Sequence, residues 1–585
     1  PGQENTLSDL RAAARRSPVV LLEAPTGFGK TGIALEYALG ELAAGRLTRL
    51  IYLTGKSTGQ LQVVRQLEAM LGSPPAATWW QIRNKADHCI NDIYHCFRDA
   101  CPILDGQAER WPDSGLQRFC QDPAIPRDLD TLRDAGRAAR VCPYEITRAA
   151  LPFTDIWIAD YNYIFAPANR GFLLDLPGFE PAHTLLIIDE AHNLPARVAD
   201  AHSADLSLRE VRDAVAALDF AGAPHALTAA WERLAHFLAR LQPTDTLDPD
   251  EDAALHELLA TIDRHSAEAA LDYAALGPAV CDTLFKVASL HATLSSGQRT
   301  LPELIWAPAP GIARFSCLDA AAAIAETIGT FGHALFLSAT LAPIDVFERQ
   351  CGLDLLGIDT ARIQATTPWR DEAYDVAIDT RVDTRYDHRR RHLARTAASI
   401  ADMRRHADGP VVAFFPAYRY AEDILAHLQA GHPDIRAAFQ TRTRDLTERT
   451  AFIEESLALA DVLLLVLGSS FAEGIDLLGG RIAGVVVVGP ALPEVNAVQR
   501  ARLDASRAPT RTAAFREVYQ IPGMQKVNQA LGRLVRAPGQ RARVLLHCRR
   551  FAQPDYLQLL APEYREAAVL QTDDDLQRWL RGSPL

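Results

Sequence analysis

The octapeptide Ala24 to Thr31, APTGFGKT, constrains this chain more than any other feature. It follows a short apolar run, Val19 to Leu22, and precedes Ile33 to Leu42, whose apolar residues recur at helical spacing. Strand, glycine loop and helix in that order make a phosphate-binding loop on a parallel α/β sheet. Gly27 and Gly29 let the backbone curl so that its N–H groups face phosphate oxygens. Ala24, Pro25, Thr26 and Phe28 complete the ATP-binding loop, with Ala24 replacing the usual first glycine. Lys30 reaches the β- and γ-phosphates in such a loop, and the Thr31 hydroxyl ligates magnesium.

An acidic partner follows a second apolar strand, Leu185 to Ile188, as Asp189-Glu190-Ala191-His192. Asp189 is expected to hold Mg2+ through water, and Glu190 to orient and deprotonate the attacking water. His192 is placed to sense the γ-phosphate. Leu337-Ser338-Ala339-Thr340 ends another strand with small hydroxyl residues, suited to linking the nucleotide to a moving partner. Near the C-terminus, Gln529, Arg533 and Arg536 are expected on one helical face, with the arginines reaching across a cleft as arginine fingers. Taken singly, an acidic pair is a solvated loop and a basic helix is surface. Together they read as an ATP-driven two-domain motor.

A chain of 585 residues is too long for one hydrophobic core and divides into three or four units. Its 48% hydrophobic and 23% charged content are those of a globular protein. The longest apolar runs, such as Val462 to Val466, fall far short of the ~20 residues that span a bilayer. No secretory leader is visible, so no membrane association is expected, and the cytoplasm, as bacterial cytosol, is the expected compartment. The chain opens at Pro1 without methionine, and further residues before it are expected. A net charge of −13 argues against a protein that coats nucleic acid, while leaving room for a narrow basic channel. The acidic run Asp245, Asp248, Asp250, Glu251 and Asp252 reads as a solvated loop.

Further strands are expected at Leu50 to Leu53, Ile156 to Ala159, Ala334 to Leu337, Val411 to Phe415, Val462 to Val466, Val485 to Val488 and Val544 to Leu546. Between about Asp205 and Thr300 the pattern is helical: Ser207 with Glu210 makes a capping box, and Trp231, Leu234, Leu238 and Leu241 share a face. Five of the nine cysteines crowd between Cys89 and Cys142, which favours a metal site over disulfides in a chain without an export signal.

These motifs, in this order, resemble the XPD/Rad3/DinG family of iron–sulfur superfamily 2 helicases. Tyr52-Leu53-Thr54 with Gln60 resembles the motif that touches the DNA backbone in the family, and VVAFFPAYRY, Val411 to Tyr420, its opening strand of the second motor domain. Ser470 to Asp476 resembles its SFxEGID-like motif, which adds Glu473, Gly474 and Asp476 to the ATP-binding residues. Tyr519 to Arg536 resembles its arginine-finger segment. Cys142-Pro143-Tyr144 resembles its fourth cluster ligand, and Cys89 sits where the first is expected. Spacing then favours Cys101 and Cys120 as the middle pair of a 4Fe–4S site, with Cys96 spare. Thiolates suit zinc as well, but tight CxxC pairs are absent. Leu546-His547-Cys548-Arg549 departs from the family, which usually shows an Asp there.

The resemblance implies two RecA-like domains on parallel sheets, the first interrupted by a cluster domain and an all-helical Arch domain. The expected boundaries are 1–78, 148–204 and 312–345 for the first motor domain, 79–147 for the cluster domain, 205–311 for the Arch and 346–585 for the second motor domain. It also implies a monomeric ATP-dependent helicase in DNA repair or replication, moving 5′→3′ on single-stranded DNA and opening forked or tailed duplexes. Arg83 and Lys85, near Trp79 and Trp80, are candidates for gripping DNA beside the cluster, and Arg385, Tyr386 and Arg389 to Arg391 form a basic aromatic patch. Two rivals are a translocase that remodels nucleoprotein or R-loops without processive unwinding, and a scaffold with a vestigial ATPase. Intact Lys30, Glu190 and Arg533 weigh against the second.

Overall fold

The structure, a computed structural model, describes residues 2–55, 57–72, 75–97, 100–122, 124–295, 301–370, 372–443, 445–469, 471 and 478–582. Two seven-stranded parallel sheets dominate it. The first runs in the spatial order Thr360–Gln364, Val19–Glu23, His333–Ser338, Thr184–Asp189, Arg49–Thr54, Ile156–Asp160, Trp79–Gln81. The second runs Ala437–Phe439, Val462–Val466, Val411–Phe415, Gly484–Val487, Ala542–Leu546, Tyr374–Asp379, Ala568–Leu570. Central strands such as Val411–Phe415 and Val462–Val466 are buried along their whole length, because helices cover both faces of each sheet. That double burial is why they read as unbroken apolar runs rather than alternating ones.

Two boundaries and the make-up of the insertion differ from expectation. The strand Thr360–Gln364 pairs with Val19–Glu23, so the first sheet extends past residue 345. Trp79–Gln81 forms the opposite edge of that sheet, so its last strand lies inside the segment expected to be cluster domain. The helical insertion is not purely helical: Ala204–Ser207, Glu303–Ala309 and Ile312–Cys317 form a three-stranded antiparallel sheet at its base. Ile305, Ala307, Ala313 and Phe315 alternate into the same core as Leu234 and Leu238, and Gly311, at φ +72°, makes the turn between the last two strands.

Within the insertion the capping box at Ser207 and Glu210 is formed, and Trp231, Leu234 and Leu238 are fully buried. Asp245 of the acidic run lies in an exposed bend, but the other four residues form a helix start rather than a loop. Asp248 caps Pro249–Glu268 with a capping box to Glu251, and Asp250, Glu251 and Asp252 occupy the first turn, where the helix dipole favours negative charge. Phe97, from the cysteine-rich segment, stacks on Tyr273 and Phe285 of the insertion at ring distances of 5.8 and 5.3 Å.

Candidate active site

Strands Val19–Glu23, His333–Ser338 and Thr184–Asp189 are neighbours in the first sheet. Their carboxyl ends therefore bring together the phosphate loop, Ser338 and Asp189, which are far apart in sequence. Gly27 and Gly29 sit at φ +82° and +91°, the left-handed region that glycine takes without strain. Lys30 begins the helix Lys30–Ala43, and its Nζ donates to the carbonyls of Ala24 at 2.9 Å and Pro25 at 3.4 Å. Burial pushes the Lys30 ammonium below the usual lysine range, against the pull of Glu190 and Asp189.

Two side chains that motif spacing did not single out for this site complete the loop's surroundings. Gln3 Nε2 donates to the Phe28 carbonyl at 2.7 Å, and a Cβ on Gly29 would stand 2.4 Å from it. Nothing in a single glutamine marks this role; only the fold brings it there. Tyr52 is buried, donates to Asp189 Oδ2 at 3.1 Å and is bonded to the Thr31 side chain, so it ties together the two residues expected on the magnesium side. Burial and the neighbouring Glu190 push the Asp189 carboxyl up to about 6, with Lys30 opposing.

Glu190 sits at φ +51°, a conformation a non-glycine residue rarely takes. The buried Tyr161 hydroxyl holds that turn by donating to the carbonyls of Asp189 and Glu190. The result divides the two acids: Asp189 is partly buried, whereas the side chain of Glu190 is 48% exposed. His192 Nδ1 lies 3.5 Å from Glu190 Oε2 and 2.8 Å from Ser338 Oγ. Ser338 Oγ accepts from the Thr340 N–H at 3.0 Å, and the Thr340 carbonyl accepts from Gln525 Nε2 at 3.2 Å. A chain of contacts thus runs from the acidic pair to the helix Ile521–Gly532 of the second domain, where Gln529 lines the same cleft as His192.

The three-residue helical face expected at Gln529, Arg533 and Arg536 does not form. The helix ends at Gly532, Arg533 is its C-cap, and Arg536 lies beyond it. Leu534 and Val535 turn into the core, and Pro538 disfavours helix at the residue before it. Arg533 still lies near enough to Lys30 to repel its ammonium. Arg536 meets the loop through its backbone, with its carbonyl 3.2 Å from the position of a Cβ on Gly27. Glu473, Gly474 and Asp476 lie outside the described residues; of their motif only Phe471 is described, and it is buried.

The expected DNA contacts divide. Thr54 and Gln60 are buried, Gln60 accepting from Gln81 Nε2 at 3.0 Å, so in this structure neither offers a surface for a phosphate. The edge strand Trp79–Gln81, which the sequence pattern did not reveal, supplies Gln81. Trp80 is core and donates to Thr147 Oγ1 at 3.3 Å, which removes it as a base-stacking surface. Arg83 is half-buried and donates to Gln81 Oε1 at 3.1 Å, while Lys85 is exposed with its Nζ 5.5 Å from the Tyr144 ring. In the basic patch, Arg389 lies over both Tyr386 and Tyr420 at 4.8 Å.

The cysteines correct one expectation. Cys89, Cys96, Cys101 and Cys142 line one cavity, with Tyr94 and Lys85 at its wall. Cys120 is not among them: it rides on the short helix Arg118–Gln121 beside the buried Phe119 and packs against the first domain's core, its Sγ 3.6 Å from the Ala149 carbonyl. Cys96, which spacing left spare, lines the cavity in its place. Cys142 is the N-cap of Pro143–Ala150, and burial pushes its thiol up to about 11. Among the described residues no three His, Cys, Asp or Glu side chains converge closely enough to hold a single metal ion. The four thiols border one shared space.

At the departure from the family pattern, His547 is buried with Nδ1 2.8 Å from Asp379 Oδ2, and Cys548 accepts from Thr384 Oγ1 at 3.1 Å. Asp383 pairs with Arg549 at 2.9 Å and Arg385 at 2.6 Å. Carboxylates from the end of the strand Tyr374–Asp379 and the loop after it therefore serve this corner.

The family model DEAD_2 matches residues 75–211 and the helicase C-terminal domain model matches residues 400–567. The chain is 21% identical over 535 residues to the ATP-dependent DNA helicase CHL1 of Scheffersomyces stipitis, covering 77% of this chain and 62% of that protein. It is 31% identical over 245 residues to a regulator of telomere elongation helicase 1 homolog of Oryza sativa subsp. japonica, covering 40% and 23%. The chain thus spans less than two thirds of the length of these relatives. An XPD helicase structure matches with a TM-score of 0.69 at 17% identity, over 98% of this chain and 99% of that one. The Xpd4 structure from S. tokodaii matches at 0.61 and 12% identity, over 97% and 99%. With both family models in place and the fold shared end to end, the chain belongs to the XPD/Rad3-like superfamily 2 helicases.

Proposed function

We propose that this chain is an ATP-hydrolysing DNA helicase that moves 5′→3′ along single-stranded DNA and opens forked or tailed duplexes in DNA repair or replication. The observation that carries the reading is the seam between the sheets, where the phosphate loop and the Asp189–Glu190 pair face the Arg533 end of the helix Ile521–Gly532. ATP bound there touches both domains, so hydrolysis and release change how they fit together. Thr31 and Asp189 hold Mg2+, Lys30 neutralises phosphate charge, Glu190 orients the attacking water, and Arg533 stabilises charge on the transferring phosphoryl group. The path His192–Ser338–Thr340–Gln525 reports the acid pair's state to the second domain.

Cys89, Cys96, Cys101 and Cys142 are the ligands we assign to a 4Fe–4S cluster. Such a group cross-links a segment that has little regular structure of its own, and the cluster-bearing loop then serves as a rigid wedge at the fork. Among the described residues no helix is long and apolar enough to cross a membrane. The deciding experiment measures ATPase stimulation by single-stranded DNA together with unwinding of 5′- and 3′-tailed duplexes, with iron and sulfide quantified in the same preparation. Unwinding of only the 5′-tailed substrate is expected. Stimulated ATPase without unwinding of either would replace this reading with a remodelling translocase, and absent ATPase with a scaffold.

A further inference from the structure

The chain crosses from the first sheet to the second between Gln364, which ends the strand paired with Val19–Glu23, and Tyr374. Arg370 closes a short 3-10 turn, Pro368–Arg370, in that crossing, and is 2% exposed. A guanidinium taken out of water needs other partners, and the partners define its task. Nη1 donates to the carbonyl of Thr26, in the phosphate loop, at 2.9 Å. Nη2 donates to the Tyr374 hydroxyl at 2.8 Å and approaches the Gly532 carbonyl at 3.5 Å. Nε faces Glu563 Oε1 at 3.4 Å. The Tyr374 hydroxyl in turn donates to the Leu531 carbonyl at 3.3 Å.

Leu531 and Gly532 are the last two residues of the helix Ile521–Gly532, at its negative dipole end, where the Leu531 carbonyl also accepts the Leu534 N–H at 3.1 Å. Arg533 follows at once. One planar fork therefore holds the phosphate loop of one domain and the finger-bearing helix end of the other. The seam around it has no slack: a Cβ on Gly27 would lie 3.2 Å from the Arg536 carbonyl, and one on Gly532 3.4 Å from Thr26 Oγ1. The fork also orients the loop. In a trans peptide the carbonyl of one residue and the N–H of the next point in opposite directions. Holding the Thr26 carbonyl toward Arg370 turns the Gly27 N–H away from that guanidinium and fixes the plane of the Thr26–Gly27 peptide within the loop.

We propose that Arg370 is a positioning residue for ATP hydrolysis, a brace that sets the phosphate loop and the Arg533-bearing helix end against each other. The proposal rests on the ATP-hydrolysing reading given above. Lysine cannot replace it, because an ammonium is a point charge without the two arms that reach both domains.

The test compares Arg370→Lys and Arg370→Met with the parent chain, by amide hydrogen exchange without nucleotide and by steady-state ATPase with single-stranded DNA. Exchange in residues 24–31 and 521–536 should quicken about tenfold in both variants, as expected for losing one net hydrogen bond, with the strands of both sheets unchanged. Turnover should fall about 30-fold or more in both, with KM for ATP within about threefold. Adding Arg370→Met to Arg533→Ala should lower kcat little beyond Arg533→Ala alone. The brace is overturned if lysine restores kcat, if the two losses multiply, or if melting temperature falls while both segments keep parental exchange. A parent chain that hydrolyses no ATP overturns the functional reading instead, and the exchange comparison still decides on Arg370.

Discussion

The ATP seam and the cysteine cavity are both assembled from residues distant in sequence, yet only the first was fully legible in outline. Every acidic and phosphate-loop residue at the seam is carried on or just past the end of a buried parallel strand, and sheet order makes those ends neighbours. The cysteines ride on loops and helices of four residues, such as Lys85–His88 and Arg118–Gln121, so sequence distance says little about where each sulfur lands. The difference teaches that a motif inherits its precision from the element that bears it.

The largest effect is expected to separate two cysteines. Cys96→Ser should lose most of its iron on anaerobic purification, whereas Cys120→Ser should keep the parental iron and sulfide content. The reverse pattern would restore the set expected from spacing. At the seam, Lys30→Ala should lower DNA-stimulated turnover by about 10³ or more, the scale of losing a charge in a phosphoryl-transfer site. Residual turnover within tenfold of the parent would remove Lys30 from the chemistry.

A buried charge cluster at a strand end of the second domain extends the comparison to stability. Burial pushes the Asp379 carboxyl up, but hydrogen bonds from Arg381 and the His547 ring 2.8 Å away outweigh it and hold the group well below the usual carboxylate range. A carboxyl whose folded value is depressed stabilises the fold above its unfolded value of about 3.9, and that contribution is lost as pH falls toward the folded value. Asp379→Asn should therefore cost about 3–5 kcal/mol at neutral pH, read as a lower urea midpoint for the second domain. The gap between variant and parent should narrow as the medium is acidified below pH ~4; a gap that stays constant would sink the assignment. The smallest effect is expected at Tyr52→Phe. It removes one donor to Asp189, worth about 0.5–1.5 kcal/mol, and should raise half-saturating Mg2+ by about 3- to 10-fold with little change in melting temperature.

By itself the sequence determined the two parallel sheets, the strands Val411–Phe415 and Val462–Val466 to the residue, the phosphate loop, the acidic pair and the capped helix start at Ser207 in the insertion. Those follow from local chemistry: doubly buried strands are apolar throughout, positive φ calls for glycine, and helix starts carry their caps. Only the tertiary structure decided that Cys96 and not Cys120 lines the cysteine cavity, that Gln60 faces inward, that Arg536 leaves its helix, and that Gln3, Tyr52 and Arg370 attend the nucleotide loop. Each of those outcomes is a contact between segments separated by a fold crossing. Periodicity and spacing record how a residue sits on its own element, not which other element will come to meet it.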